Sequence, residues 1–278
     1  MGDVSTIVFL HAHPDDEASQ TSGTMTLASR AGHRVVCVYA TNGDQGEVPA
    51  DLAEGETLVD RRRAEAEASA RVTGTARVVW LDYADSGMTG WEQNTGERSF
   101  HGADLDEAAA RLTAVLDEED ADVLVTYDWH GGYGHPDHVK AHRVAHAAAD
   151  RARRRPRLLE GTMNRDHLRS VFARALAEDA AAGTGLASAA HRMDVDGPAD
   201  DGNPVGTPEA EIHWAVELGD AVTAKREALA CHASQVTDVG MFLAISPEQF
   251  AIAFGREFYV EPGCEPGMVT AWPFDDPR

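Results

Sequence analysis

Lysine is almost missing from this chain. Of 24 basic residues only Lys140 and Lys225 are lysines, against 47 acidic residues, giving a formal charge of −23 over 278 residues. Phosphate backbones and anionic lipids are held by clustered Lys and Arg, so neither nucleic acid nor a membrane is expected as a partner. Cysteine is scarce as well. Cys37, Cys231 and Cys264 are odd in number, far apart and form no CxxC pair, so no disulfide framework is expected; Cys37, inside an apolar run, reads as core. No apolar run approaches the ~20 residues of a membrane span. A strand pattern begins near the start of the chain, leaving no room for a signal peptide, so the expected location is cytoplasmic. No GxGxxG follows that strand, which argues against a dinucleotide cradle, and there is no GxSxG to mark a serine nucleophile. What remains is a globular composition, 43% hydrophobic and 26% charged, sufficient for one large domain or a domain with an appendage.

Periodicity then supplies an order of elements. Residues 6–12 read as a buried strand and 17–30 as a helix with Met25, Leu27 and Ala28 inward. Strands follow at 33–41, 78–81, 122–127 and 158–162, and helices at 58–73, 104–118 and 137–153; Gly74 is a fitting helix cap. Strand alternating with helix predicts an α/β fold: a Rossmann-like, mostly parallel sheet with helices on both faces. Right-handed crossovers put all strand C-terminal ends on one edge, where ligands bind at the switch point. This core is expected over 1–165. A smaller C-terminal α+β portion, 166–278, would complete the pocket, with a helix at 166–179, a strand at 211–218, a helix at 219–233 and a helix plus strand over 246–260. Residues 181–208, rich in Gly, Ala, Asp and Pro, read as a long loop. The run Arg151–Arg157 reads as a solvated helix end.

Two strand ends carry the chemistry. The first strand stops at His11-Ala12-His13-Pro14-Asp15-Asp16-Glu17, and the fourth leads to Gly131-Gly132-Tyr133-Gly134-His135-Pro136-Asp137-His138. Imidazole and carboxylate without thiolate suit a borderline divalent ion, Zn²⁺ first and Fe²⁺ second. His13 and Asp16 from one strand end and His138 from the other make three ligands, leaving a position open for water, as in catalytic sites. Asp15 is then free to act as general base. Asp137 against His135 would favour an imidazolium able to stabilise an oxyanion or protonate a leaving amine, with Tyr133 assisting. The set fits metal-assisted hydrolysis of an amide. A rival ligand pair, His138 and His142 with His146 continuing the same helix face, stays open. His11 reads as core or as support for the ligands, and Glu17 as a complement to a helix dipole.

AHPDDE at 12–17 together with GGYGHPDH at 131–138 resembles the LmbE-like, or PIG-L, family of metal-dependent N-acetylglucosaminyl deacetylases, and within it the branch of the mycothiol-pathway deacetylase and the mycothiol S-conjugate amidase. Gly46-Glu47-Val48, Arg62–Glu65, Asp85-Ser86-Gly87-Met88 and Tyr127-Asp128 extend the likeness over roughly 6–150, with a fainter echo at His232-Ala233-Ser234-Gln235. The resemblance implies His13, Asp16 and His138 as metal ligands and Asp15 as base. It also implies His135 supported by Asp137, with Tyr133, at the reacting carbonyl, and Glu47, Arg62 and Asp85 as contacts to a sugar-containing substrate. The expected substrate is a small amino sugar carrying an N-acetyl group, and a homo-oligomer is left open. Three alternatives remain at this level: an amidase for thiol conjugates, a deacetylase tailoring a glycosylated natural product, and an inactive sugar-binding protein.

Overall fold

The computed structural model describes residues 4–178, 186, 187, 190, 194–265 and 267–275. Its sheet is built outward from β1 (Thr6–His11), an apolar run whose residues after Thr6 are all buried. β2 (Arg34–Thr41) and β4 (Val123–Tyr127) pair parallel on either side of it, Ile7 lying opposite both Val35 and Val123. β3 (Arg77–Tyr83) adds outside β2, and β5 (Arg157–Thr162) outside β4, both parallel. Strand order therefore reverses between β1 and β4, and the two motifs leave the C-terminal ends of those two strands. The remaining strands extend the same sheet: β7 (Arg256–Val260) is antiparallel to β5 and to β6 (Trp214–Glu217), and β8 (Val269–Thr270) is parallel to β6. The order is β3-β2-β1-β4-β5-β7-β6-β8.

Both faces are covered, as central parallel strands require. One layer joins Val8, Leu10, Val36, Val38 and Leu124 to helices α4 (Leu105–Glu119) and α5 (Pro136–Arg151). The other joins Ile7, Phe9, Cys37, Tyr39 and Val125 to α2 (Ser22–Ala31) and α3 (Leu58–Thr73). Cys37 is core, as expected, and burial pushes its thiol well above the usual range. α3 opens with a reciprocal capping box between Thr57 and Asp60 and closes on Gly74 at φ 73°. The C-terminal portion contributes α6 (Arg165–Glu178), α7 (Ala221–Cys231), α8 (Val236–Leu243) and α9 (Pro247–Phe254). Among the described residues no helix is long and apolar enough to cross a membrane.

One helix differs from expectation. In place of a single helix over 17–30 there are α1 (Asp16–Gln20) and α2, broken at Thr21, whose φ of −131° is not helical. The break has a long-range cause. The Glu257 carboxylate on β7 accepts the N–H groups of Gly23 at 3.0 Å and Thr24 at 2.8 Å, satisfying donors at a new helix N-terminus. Lys225 on α7 neutralises that carboxylate at 2.5 Å. Of the run Arg151–Arg157, the arginines of 151–155 lie at the surface, paired with Asp106, Asp117, Asp120, Asp122 and Asp150, but Arg157 opens β5 and is turned inward onto Glu261 at 2.6 Å and the Trp214 ring. Part of the loop expected at 181–208 lies outside the described residues. Its described end folds onto the second motif: Asp200 N–H donates to the Tyr133 carbonyl at 3.0 Å and Gly206 N–H to Gly132 at 2.7 Å.

Candidate active site

Past β1 the chain turns sharply through Ala12–Asp15 into α1. Asp15 sits at φ 106°, a conformation that costs a residue with a Cβ. Arg62 on α3 holds the turn. Its guanidinium donates to the Pro14 carbonyl, to Asp15 Oδ2 at 2.9 Å and to the Gly43 carbonyl at 2.8 Å. Gly43 has φ +67°, and a Cβ there would stand 2.6 Å from Arg62 Nη1. From the other side the Asp15 N–H donates to Glu17 Oε2 at 2.9 Å. Burial pushes the Asp15 carboxyl up to about 6, opposed by the Arg62 charge. It is a carboxylate near its protonation point, with a fifth of its side chain exposed.

Beside it the expected ligands converge. Asp16 Oδ2 lies 3.1 Å from His13 Nδ1 and Oδ1 lies 3.2 Å from His138 Nε2. The Tyr127 hydroxyl donates to Asp16 at 2.7 Å and accepts from the Ala12 N–H at 2.7 Å. Burial opposes the Asp16 charge, but His138 and His13 outweigh it and hold the carboxyl well below its usual range. His138 Nδ1 lies 3.0 Å from the Gly131 carbonyl, which assigns the ring proton to Nδ1. Nε2 then offers a lone pair toward Asp16 Oδ1 at 3.2 Å, is buried and makes no hydrogen bond to a described residue. Gly131, at φ +69°, is needed for this approach, since a Cβ would stand 2.3 Å from His138 Cβ. His13 is surrounded by carboxylates, with Asp137 Oδ2 at 3.2 Å and Asp85 Oδ1 at 3.4 Å from Nε2. Burial lowers its pKa, but these acids and Asp16 raise it well above the usual value. An imidazole lone pair facing a carboxylate and an excess of buried negative charge are what a divalent cation would satisfy. His135 enters the same space: donor atoms of His13, His135 and His138 lie within 4.8 Å of one another, as do those of His13, Asp85 and Asp137.

Several expected partnerships are drawn differently. The Asp137 carboxylate does not support the His135 ring; it takes the Ser86 N–H at 2.9 Å, the Ser86 hydroxyl at 2.5 Å and His13 Nε2. The Asp137 main-chain N–H instead donates to His135 Nδ1 at 3.2 Å, because His135 is the N-cap of α5. Burial, then the His13 and His138 rings, hold the His135 pKa far below its usual value, so the ring is neutral with its proton on Nε2, and an imidazolium is not what the geometry builds. Glu17 does more than complement a helix dipole. It is 1% exposed, and Oε1 takes the Ser69 hydroxyl at 2.6 Å and His232 Nε2 at 2.7 Å. Arg62, expected at the substrate, is 3% exposed and committed to the Asp15 turn. Glu47 Oε2 accepts the Thr237 N–H at 3.0 Å, and Asp85 Oδ1 the Gly87 N–H at 2.8 Å. His142 and His146 face Glu160, away from the His13 cluster. His11 is buried beside Thr21 at 2.9 Å, and burial pushes its pKa down to about 4.

Tyr127, Ser86 and His232 had no assigned role in the sequence. All three lie in stretches that carry the family likeness, Asp85–Met88, Tyr127-Asp128 and His232–Gln235, but only contacts made in the fold give them their parts. The site opens on a cavity of about 580 Å³ lined by His13, Asp15, Asp16, Glu47, Arg62, Asp85, Tyr133 and His135. It continues along Leu229, Val239, Phe242, Phe254 and Phe258 of the C-terminal portion.

A parallel α/β sheet with a His–carboxylate cluster at its switch point defines a class of Rossmann-like proteins with their site beyond the strand C-terminal ends, here lined by donors that could hold a metal ion. Within that class, the PIG-L family profile (GlcNAc-PI de-N-acetylase) matches residues 8–149, and the chain belongs to this family. It is 36% identical over 267 residues to a 1D-myo-inositol 2-acetamido-2-deoxy-alpha-D-glucopyranoside deacetylase of Acidothermus cellulolyticus, covering 92% of this chain and 88% of that one. Among solved structures, the N,N'-diacetylchitobiose deacetylase of Pyrococcus horikoshii superposes with a TM-score of 0.55 at 21% identity, over 93% of this chain and 83% of that one. The 4-carboxy-2-hydroxymuconate hydratase GalB of Pseudomonas putida superposes at 0.59 and 14% identity, over 96% and 100%. The fold alone therefore does not select a reaction.

Proposed function

We propose that this protein is a metal-dependent N-deacetylase acting on a small molecule that contains N-acetylglucosamine. The observation that carries the reading is the His138 Nε2 lone pair, buried, facing Asp16 Oδ1 at 3.2 Å and with no hydrogen bond to a described residue, beside His13 and a part-exposed Asp15. His13, Asp16 and His138 would hold the ion; nitrogen and oxygen donors suit Zn²⁺ ahead of Fe²⁺. When bound, such an ion supplies Lewis-acid polarisation and water activation. Asp15 takes the proton of the attacking water on its free carboxylate and returns it to the leaving nitrogen, giving acetate and an amine. Arg62 keeps Oδ2 of that carboxylate oriented. His135, neutral and protonated on Nε2, donates to the developing oxyanion, and Tyr133 borders the same space. Asp137 acts through His13 and Ser86. Glu47 and Asp85, which line the cavity, would meet the hydroxyls of a sugar.

A second reading is favoured by the apolar extension of the cavity toward Phe242, Phe254 and Phe258. A polar inositol glycoside makes little use of such a wall, whereas an apolar aglycone, as in a thiol conjugate or a glycosylated natural product, would fill it. One substrate panel separates the two. Acetate release is measured with zinc supplied on N-acetylglucosaminyl-inositol, N-acetylglucosamine and alkyl and aryl N-acetylglucosaminides. Higher kcat/KM on the inositol compound favours the first reading, and on the alkyl or aryl compounds the second. No turnover of any amide would leave a sugar-binding protein.

A further inference from the structure

The histidines at 138, 142 and 146 recur every four residues along one face of α5. Only the first reaches the catalytic cluster. The other two meet Glu160, the middle of β5, whose side chain is turned to the α5 face and is 8% exposed. His146 Nε2 lies 2.7 Å and His142 Nδ1 3.7 Å from Glu160 Oε1. One donor atom from each of the three residues lies within 4.8 Å of the others, and the two rings are 4.4 Å apart between centroids.

We propose that His142, His146 and Glu160 form a second, non-catalytic site for a divalent transition metal, of the zinc class, which pins α5 to β5. Four observations carry it. Two imidazoles at i and i+4 with one carboxylate make a zinc donor set. The two distances to Oε1 bracket the roughly 3.4 Å that separates ligands around a tetrahedral ion with bonds of about 2.0–2.2 Å, so occupancy needs only small side-chain movements and the release of the His142 Nδ1 proton, now donated to the Tyr127 carbonyl at 3.1 Å. Glu160 is a carboxylate on an inner strand, and among the described residues His142 and His146 are its only ion-pair partners; a buried acid without Arg or Lys calls for a cation. Finally, the His146 side chain is 35% exposed, giving an ion a path in and a water a place as fourth ligand. The pin bears on the catalytic loop indirectly. An ion on His142 Nδ1 replaces that ring's hydrogen bond to the carbonyl of Tyr127, the residue whose hydroxyl holds Asp16.

The test is equilibrium dialysis against Zn²⁺ with metal analysis, on the full chain, on His146→Gln and on the double variant Asp16→Ala/His138→Ala. Cobalt(II) absorption is a second readout. His146 is on the surface, and coincident metal-free melting curves verify that its variant is folded. The wild type is expected to bind one more equivalent than His146→Gln, which keeps its deacetylase rate, and the double variant is expected to keep that equivalent. Zinc should raise the melting temperature of the double variant, and adding His146→Gln should remove the rise. Equal zinc uptake by wild type and His146→Gln, or a double variant that takes up no zinc, would overturn the proposal. Because the comparison is between variants differing only at His146, it stands whether or not the catalytic cluster holds metal.

Discussion

The two ends of the sheet do different work. The parallel end, β1 to β5, offers a row of strand C-termini from which loops project His13, Asp15, Asp16, Asp85, His135, Asp137 and His138. The antiparallel end, β6 to β8 with α7–α9, offers none of these donors. It contributes the apolar wall of the cavity and a set of buried polar props: Glu257 on the α2 N-terminus, His232 on Glu17, and Ser234 on Glu65 at 2.7 Å. Parallel strands aim all their carboxyl ends at one edge, so chemistry accumulates there. Antiparallel strands do not, so their residues act by holding.

The difference predicts that damage at the first end reads as lost turnover and damage at the second as lost stability. The largest effect should come from Asp15→Ala: a fall in kcat on the order of 10²–10⁴, with metal content and melting temperature near wild type. A rate close to wild type would remove Asp15 as the base. Next is His232→Ala, which leaves the Glu17 carboxylate buried without its imidazole. Breaking such a pair costs about 3–5 kcal/mol, measured as a shifted urea midpoint, and His232→Gln, which can still donate to Glu17, should recover part of it.

The same residue sets a smaller, pH-dependent effect. Burial lowers the His232 pKa, but Glu17, with Asp15 adding and Arg62 opposing, raises it above the usual 6.5. Its folded value thus lies above its unfolded one. Its contribution is fully present below pH 6.5 and is lost as pH rises through the folded value. Urea midpoints of wild type and His232→Gln should therefore converge on the alkaline side; parallel profiles would show that the ring does not titrate against Glu17. The smallest effect should be Arg256→Ala, which removes a half-exposed pair with Glu217 and should cost at most about 1 kcal/mol. It sits one residue from Glu257, so the contrast between Arg256→Ala and Glu257→Gln compares a rim charge with a buried prop on one strand.

Much of the catalytic end was legible before the structure. The parallel sheet, the shared edge of strand C-terminal ends and the meeting of AHPDDE with GGYGHPDH follow from alternation and handedness, which neighbouring residues encode, whereas the strand order itself came from the structure. Roles were less legible than positions. Asp137 beside His135 in sequence suggested a carboxylate–imidazole pair, yet starting a helix at His135 points the Asp137 N–H at that ring and sends its carboxylate to Ser86 and His13. The break at Thr21 was likewise invisible, because its cause, Glu257, lies more than 230 residues away.

The sequence alone determined the α/β core, the donor types and the edge on which they gather, since each depends on spacing within one strand or one helix turn. Tertiary structure decided which carboxylate is spent and which is free. Glu17, Asp16 and Asp137 are claimed by His232, Tyr127 and Ser86, respectively 215, 111 and 51 residues distant, leaving Asp15 in an ion pair with Arg62 and with a fifth of its side chain exposed. A buried charge takes whatever donor packing brings to it, and packing is a property of the whole sheet.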